Sequence, residues 1–530
     1  MLKKVAAILA AIIAVTLTPR APHAPRFRKA HRHPARVHGR LRPEEDSRPL
    51  PEHGPAAAGA TPFEGLWMLK DMPEWLRVLA RSEHLKAAMG RSIPEFASGA
   101  MALEHVRPAR NRLKDGVVDG IFELTVRDPG GARRVVCLRG VTDPGRPVRV
   151  EAISPGIPFP EDGWRGAVPE LRLALETPPR DTAVPALAML TDPSRARSFL
   201  EGAIRAGSPA YVDIRIEGCT PKMARYKFGS RCTIIYRLEY GPEAAGRDWP
   251  EAVVAKTYSG NEGRVAYEGM RAVWESQLRW STAVTIAEPL AFIPELEVLI
   301  QSAVPGKLSL KDLVTVLPGG TASAMAELRG LLAKTGRGLA ALHACTAHGT
   351  IFSWEQQMAE VRERIVRLAS WVPGFDGALE PALARLEALA ASHPADRPVP
   401  SHGSFRPAQV LLHEGHIAFI DFDGFCGAEP AMDLALFRAG MKQTAMRLGS
   451  REELPEPSLE VLSELDGLCD LFLDEYERAT PVSRERVALW ETLYLLESVL
   501  KSWTKVEPYR LEASMALLER HVRHSALSLA

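Results

Sequence analysis

Apolar positions change their period several times along this chain, and each change marks an element. Residues 5–17 form an apolar run interrupted only by Thr16. From 63 to 89, Trp67, Leu69, Trp75, Leu76, Val78 and Leu79 recur at helical spacing. Residues 120–127 and 134–138 flank Asp128-Pro129-Gly130-Gly131-Ala132, whose turn chemistry predicts a hairpin. Thr191-Asp192-Pro193 predicts a helix to about Ala206, with Asp192 as N-cap and Pro193 in the first turn. A second β-rich stretch begins near Tyr211, with strands over 232–240 and 252–258 across a polar loop. Asn261-Glu262-Gly263 predicts the start of a helix over about 264–278, and a strand pair surrounds 289–302. Beyond Gly306 the spacing is helical over 308–316, 321–344, 354–371 and 379–391. A short β stretch over 409–422 interrupts it, and helices including 487–503 and 508–523 close the chain. From about 208, then, a β-rich lobe precedes a mainly helical one with a polar β insertion.

Charge separates the beginning of the chain from the rest. The 530 residues carry a net charge of +1, yet residues 1–60 hold 11 Lys/Arg against 4 Asp/Glu, so the remainder is mildly acidic. Near-neutrality argues against a chain-wide nucleic-acid or membrane-surface binder. Lys3-Lys4 and the apolar run resemble a signal-peptide core, but 13 residues cannot span a bilayer, and Arg20, Arg26, Arg28 and Lys29 oppose export. Between Pro19 and Pro55 lie eight prolines and five histidines, His23, His31, His33, His38 and His53, with almost no large apolar residue. This composition predicts a disordered, solvated basic leader in a cytoplasmic protein without stable membrane insertion. Adventitious metal binding by the histidines and a downstream translation start are the other readings of this segment. The six cysteines are widely spaced with no Cys-x-x-Cys pair, which excludes a disulfide scaffold and predicts free thiols.

The two hairpins resemble each other. Ala109-Arg110-Asn111-Arg112-Leu113-Lys114, 121–126 and 135–138 set beside Ala224-Arg225-Tyr226-Lys227, 234–238 and 253–256. A duplication would put Leu138 where the second copy has Lys256. Two unrelated hairpins of similar strand composition are the competing reading, and a different strand order would reject the duplication.

The densest polar chemistry lies in Ser401-His402-Gly403-Ser404-Phe405-Arg406-Pro407-Ala408-Gln409, then Ile420-Asp421-Phe422-Asp423-Gly424, then Asp433. Asp421 ends an apolar strand, where a carboxylate suits Mg²⁺, a hard ion that takes oxygen ligands. The stretch resembles the catalytic region of the aminoglycoside phosphotransferase/choline kinase family, a branch of the protein-kinase-like fold. Gly338 to His343 resembles the helix before that family's catalytic loop, Leu299 to Gly306 its interlobe hinge, and Val253 to Lys256 its nucleotide-lysine strand. The resemblance covers about 208–530 and implies an α+β, two-lobed kinase-like fold: N-lobe 207–306 and C-lobe 307–530, after the leader 1–60 and a small α+β accessory domain, 61–206.

The resemblance further implies an ATP- and Mg²⁺-dependent transfer to a hydroxylated small molecule. Lys256 would hold the α- and β-phosphates, and Glu268 would pair with it, Glu275 standing in reserve. Gly229 would form the turn over the phosphates, and backbone groups from Gln301 to Ala303 would meet adenine. Asp421 and Gln409 would hold the metal, and Arg406 would clamp the γ-phosphate. The chain departs from the family pattern where it matters most. Ser404 replaces the catalytic Asp and Gln409 the metal-binding Asn. A serine hydroxyl is not a base at neutral pH, which leaves Asp423 as a substitute. Two functions follow from these residues: a phosphotransferase weakened at its base, or a pseudokinase that binds nucleotide and engages a protein partner through 61–206.

Overall fold

The computed structural model describes residues 62–114, 116–142, 157, 159–177, 184–315, 322–449 and 459–524. The expectations for the leader and for positions 316 and 321 at the edges of two expected helices lie outside these residues.

Two five-stranded sheets of identical order lie between Ala102 and Ser302. A short helix, Glu74–Val78, and α1 (Ser82–Ser92) precede β1 (Ala102–Lys114), β2 (Val117–Arg127), β3 (Arg133–Thr142), β4 (Arg165–Val168) and β5 (Leu173–Glu176). A second short helix, Leu187–Leu190, and α2 (Pro193–Gly207) precede β6 (Gly218–Lys227), β7 (Arg231–Glu239) and β8 (Ala252–Thr257). Then come α3 (Glu262–Glu275), β9 (Thr285–Ile286), β10 (Pro289–Ile293) and β11 (Val298–Ser302). The sheets run β1-β2-β3-β5-β4 and β6-β7-β8-β11-β10. Helix α1 packs on β1 and β4, and α2 packs on the matching strands β6 and β10. Pro169-Glu170-Leu171 and Pro294-Glu295-Leu296 make the same 3-10 turn, closed by left-handed Arg172 (φ 50°) and Glu297 (φ 49°). Strand order therefore does not reject the duplication.

Register corrects its alignment. Val168 pairs with Leu173 and Ile293 with Val298 across the matching hairpins. Leu173 in turn faces Thr142, and Val298 faces Thr257. Superposing the buried threonines puts Val141, not Leu138, at the position of Lys256, because the apolar strings align three residues out of step. The first sheet still lacks the charge.

The boundary drawn at 206/207 falls inside a packed unit. Ala196, Leu200 and Ile204 on one face of α2 share a core with Ile234, Tyr236, Val253 and Ile300. Asp192 caps α2, its Oδ1 accepting from the amide of Arg195 at 2.8 Å. The first sheet belongs to the other core, continuous with the helical lobe: Leu69, Leu76 and Leu124 join Leu379 and Leu383. Gly65 sits so close to Ala378 that a Cβ there would lie 2.4 Å from its carbonyl oxygen. The helical pattern over 63–89 resolves into a 3-10 turn, Glu64–Leu69, the short helix and α1. Pro73 opens the short helix, where its missing N–H costs nothing.

The helical lobe contains α4 (Ala322–His343), α5 (Trp354–Ala369), α6 (Phe375–Ser392), α7 (Pro430–Gly449), α8 (Leu459–Glu477), α9 (Arg484–Thr504) and α10 (Pro508–His524). Its β insertion joins β12 (Leu308–Ser309), β14 (Val410–His413), β15 (His416–Phe419) and β9 in one sheet. Strands β13 (Val399–Ser401) and β16 (Cys426–Ala428) form another. Helix α9 is buried nearly all round, Trp490, Leu493, Leu496 and Trp503 among its core residues. Glu429 is buried inside this lobe and is held by the guanidinium of Arg486 and by Trp490 Nε1 at 2.6 Å. The chain is thus α+β, a β-rich lobe followed by a mainly helical one, with an extra sheet ahead of the first lobe. Among the described residues, no helix is long and apolar enough to cross a membrane.

Candidate active site

Lys256 lies on β8, the central strand of the second sheet. Alternation sends Val253 and Ala255 into the core and turns Lys256 to the opposite face, toward the second lobe. There its Nζ meets Asp421 Oδ1 at 2.6 Å and Asp423 Oδ1 at 3.0 Å. Tyr258, two residues along the chain from Lys256, donates its hydroxyl to Asp423 Oδ1 at 2.9 Å. Arg231 Nη1 of β7 stands 3.4 Å from Asp423 Oδ2. Charged and polar groups from two lobes thus converge on one turn. Asp421 takes a left-handed conformation there (φ 71°, ψ 53°), which the short side chain of Asp tolerates.

Burial pulls the Lys256 ammonium down, but the charges and hydrogen bonds of Asp421 and Asp423 outweigh it, so its pKa stands above the ordinary lysine value. Burial raises Asp421, and Lys256 beside it more than compensates, holding its carboxyl well below the usual carboxylate range. Both partners are therefore charged at neutral pH. Burial, followed by Asp423, pushes the Tyr258 phenol far up, so it stays a donor.

The upstream turn is held by Asp433, fully buried in the first turn of α7. It accepts from the amide of His402 at 2.6 Å and from that of Gly403 at 3.0 Å. His343 Nε2, at the end of α4, lies 3.3 Å from the same carboxylate, and its Nδ1 is 2.8 Å from the Tyr476 hydroxyl. Gly403 (φ 74°) lies against the Asp421 turn: a Cβ there would sit 1.8 Å from Gly424 O. Only glycine permits that approach. Buried His402 places Nε2 3.0 Å from Ile420 O, and Ser404 Oγ lies 3.3 Å from its Nδ1 and 3.4 Å from Asp421 O. The carbonyl fixes the proton on Nε2, which leaves Nδ1 to accept from Ser404.

The structure brings Lys256, Asp421, Asp423, Ser404 and Gln409 to this place. Gln409 O accepts from the amide of Ile420 at 3.0 Å, next to Asp421. Its side-chain Oε1 is buried with no hydrogen-bond partner among the described residues. An unsatisfied amide carbonyl on the residue that pairs with Ile420, together with the carboxylates of Asp421 and Asp423, offers oxygen donors of the kind Mg²⁺ takes. No cluster of three or more His, Cys, Asp or Glu with metal-binding geometry occurs among the described residues. Any metal here would therefore depend on the amide and on oxygens of its substrate.

Other expected roles are not supported. Glu268 is exposed on α3 and does not reach Lys256, and Glu275 bonds Arg271 at 3.5 Å instead. The inward face of α3 is Gly263, Ala266, Gly269, Met270 and Val273, and Gly269 packs on Phe425 too closely for a side chain. The register of α3 thus turns its carboxylates outward, and Asp421 and Asp423 take their place as partners of Lys256. The amides of Ser302 and Ala303 are already donated to Glu288 O at 2.8 Å and Ala252 O at 3.0 Å, so Ala303 has no donor left for adenine. Gln301 is buried on β11 with its own Oε1 unpartnered. Gly229 (φ 66°) does make a tight turn, Ser230 N bonding Lys227 O at 3.1 Å, with open space where a Cβ would be. Arg406 is exposed, its stem lying over Gly440 of α7. Asp423 has three donors on it, which makes it a positioned anion and not a free base.

Tyr258, Arg231 and Tyr476 carry no motif, and His343 stood in the quoted Gly338–His343 pattern without an assigned role. His402 and Asp433 stood within the quoted pattern without an assigned role.

Residues 275–463 match the APH family, the phosphotransferase enzyme family. The matched phosphotransferase segment includes the Ser404 and Asp421 turns and begins after Lys256. No curated protein matches the chain. Among solved structures, choline kinase from Cryptosporidium parvum Iowa II is 13% identical with a TM-score of 0.42, covering 62% of this chain and 94% of its own. A glucosamine kinase in complex with glucosamine, ADP and inorganic phosphate is 16% identical with a TM-score of 0.43, covering 84% and 99%. A choline/ethanolamine kinase family protein from Mesorhizobium loti is 14% identical with a TM-score of 0.41, covering 63% and 96%.

Proposed function

We propose that this chain transfers the γ-phosphoryl group of ATP to a hydroxyl of a small molecule, slowly, because Ser404 stands where the family has a carboxylate. The observation that carries this reading is the lysine of one lobe held between Asp421 and Asp423 of the other, beside the orphaned Gln409 carbonyl. In the transfer, the substrate oxygen forms a bond to the γ-phosphorus, the bond to the β-phosphate oxygen breaks, and ADP leaves. Mg²⁺, when bound with the nucleotide, neutralises the phosphate charge that both bond changes involve. Lys256 turns its ammonium from the carboxylates to the phosphates, and Ser404 orients the substrate hydroxyl by hydrogen bonding. The hydroxyl proton is lost to water, since neither Ser404 nor the engaged Asp423 takes it. Base assistance is worth about 10²–10⁴-fold, so positioning and charge leave a slow reaction in place of none.

A second reading, a nucleotide-binding pseudokinase, is favoured by the same Ser404 and by the three donors that close Asp423. Release of ADP from Mg·ATP over a panel of alcohols, sugars and hydroxy acids decides between them. Turnover that disappears in Asp421→Ala supports the transferase. Nucleotide binding with no turnover, and ADP release appearing only in Ser404→Asp with Gln409→Asn, supports the pseudokinase.

A further inference from the structure

The first sheet does not merely precede the kinase-like lobes; it reaches their cleft. Arg110 Nη1 on β1 donates to the carbonyl of Phe228, in the Gly229 turn, at 3.1 Å. Arg112 lies two residues further along β1, on the same face. Strand β1 also packs on α9, whose last turn leads into Lys505. Three separate parts of the chain, the first sheet, the Lys227 end of β6 and the junction of α9 with α10, thus meet beside Arg231 and Asp423. Lys227 is half-buried there, and burial together with Arg112, Arg231, Arg110 and Lys505 pulls its pKa down to about 8. Burial also lowers Lys505, with Arg510, Lys501 and Arg112 in its field against the single carboxylate of Glu507.

The nearby acids are already used. Glu507 bonds Arg510 at 2.9 Å, and Glu497 bonds Lys501 at 2.7 Å and Arg364 at 3.2 Å. Asp119, opposite Arg112 in register, bonds Arg139 at 3.1 Å. Among the described residues, none of Arg112, Lys227 and Lys505 is ion-paired. Lys227 and Lys505 are half-buried and Arg112 is exposed beside them, and charges of one sign held together cost free energy unless an anion joins them. In the phosphotransferase reading the nucleotide's phosphates would be met by Lys256, with Arg231 beside it on Asp423, whereas Arg112 and Lys505 come from elements outside the cleft.

We propose that the substrate accepting the phosphoryl group carries a fixed oxyanion, a phosphate ester or a carboxylate, that docks on Arg112, Lys227 and Lys505. The first sheet is then one wall of the acceptor site. This rests on the phosphotransferase reading, and it disfavours cationic amines as acceptors.

The test is a calorimetric titration of the full chain saturated with Mg²⁺ and the non-hydrolysable analogue AMP-PNP. Glucose 6-phosphate and gluconate are the anionic probes; glucose and glucosamine are the controls. One or both anions should bind at least about tenfold more tightly than the controls, weakening when KCl rises from about 50 to about 200 mM. The stronger anion identifies the headgroup. Arg112→Ser with Lys505→Ser should cost the anion about tenfold or more in affinity while leaving AMP-PNP binding unchanged. Glucose or glucosamine binding as tightly as the anions, wild-type anion affinity in the double variant, no binding of either anion, or anions binding only by displacing AMP-PNP would each overturn the proposal. Failure of AMP-PNP to bind refutes the phosphotransferase reading separately, and the anion titration then proceeds on the nucleotide-free chain.

Discussion

Replacing Asp433 by Asn tests how the catalytic turn is held. The carboxylate accepts two backbone N–H groups, from His402 at 2.6 Å and Gly403 at 3.0 Å, in a fully buried position. A hydrogen bond to a charged group contributes about 1.5–3 kcal/mol. The carboxamide keeps one acceptor oxygen and turns an NH₂ toward the other donor, so one bond is lost and a buried N–H is left unpaired. Leaving that donor unsatisfied costs about 1–3 kcal/mol more. The sum is about 2.5–6 kcal/mol, enough to open the turn locally. Hydrogen exchange at His402 and Gly403 should accelerate by about two to four orders of magnitude, with little change in the α2 core, which Asp433 does not touch. Nucleotide affinity should fall as well. Exchange within about threefold of wild type at these two amides would refute the claim that Asp433 organises the turn.

Gly403→Ala should destabilise the fold by about 3 kcal/mol or more and so lower the urea midpoint strongly, because the new Cβ meets Gly424 O in a left-handed conformation; a wild-type midpoint would contradict the packing. Glu268→Gln should leave nucleotide affinity unchanged, since the side chain faces solvent; a tenfold loss would restore it as the partner of Lys256. Lys227→Met should raise the melting temperature at neutral pH. Its folded pKa of about 8 lies below the unfolded value, so its destabilising contribution is complete below about pH 8 and disappears as pH rises toward about 10.4. The gain from the substitution should shrink over that range, and a gain independent of pH would contradict the assignment.

The helical lobe was legible because its helices bury broad apolar faces, and because two short apolar strands bracket the polar turns. The strands β1 and β6 were missed over much of their length. They are edge strands whose exposed positions are filled by Arg and Lys, with Pro108 and Pro221 within them, so alternation is hidden by the residues that protect an edge. The duplication was visible in composition but misaligned, because apolar strings carry no register; only the strand pairing put Val141 against Lys256. At the site, Lys256, Asp421 and Gln409 were found by their motif positions. The partner of Lys256 was misassigned to Glu268, because helical periodicity does not reveal that Gly269 and Phe425 fix the rotation of α3. Tyr258 and Arg231 have no sequence signal beyond their proximity to β8 and the Gly229 turn.

The central claim is that Lys256 and Asp421 form a Mg·ATP site between the lobes, and thermal unfolding with increasing Mg·ATP tests it most directly. A ligand at about one hundred times its Kd stabilises the folded state by about 2.7 kcal/mol, a rise of a few degrees. The wild-type chain should show that rise, and Lys256→Ala and Asp421→Ala should melt at temperatures that nucleotide does not change. A wild-type melting temperature indifferent to millimolar Mg·ATP, or variants that respond as the wild type does, would contradict the account.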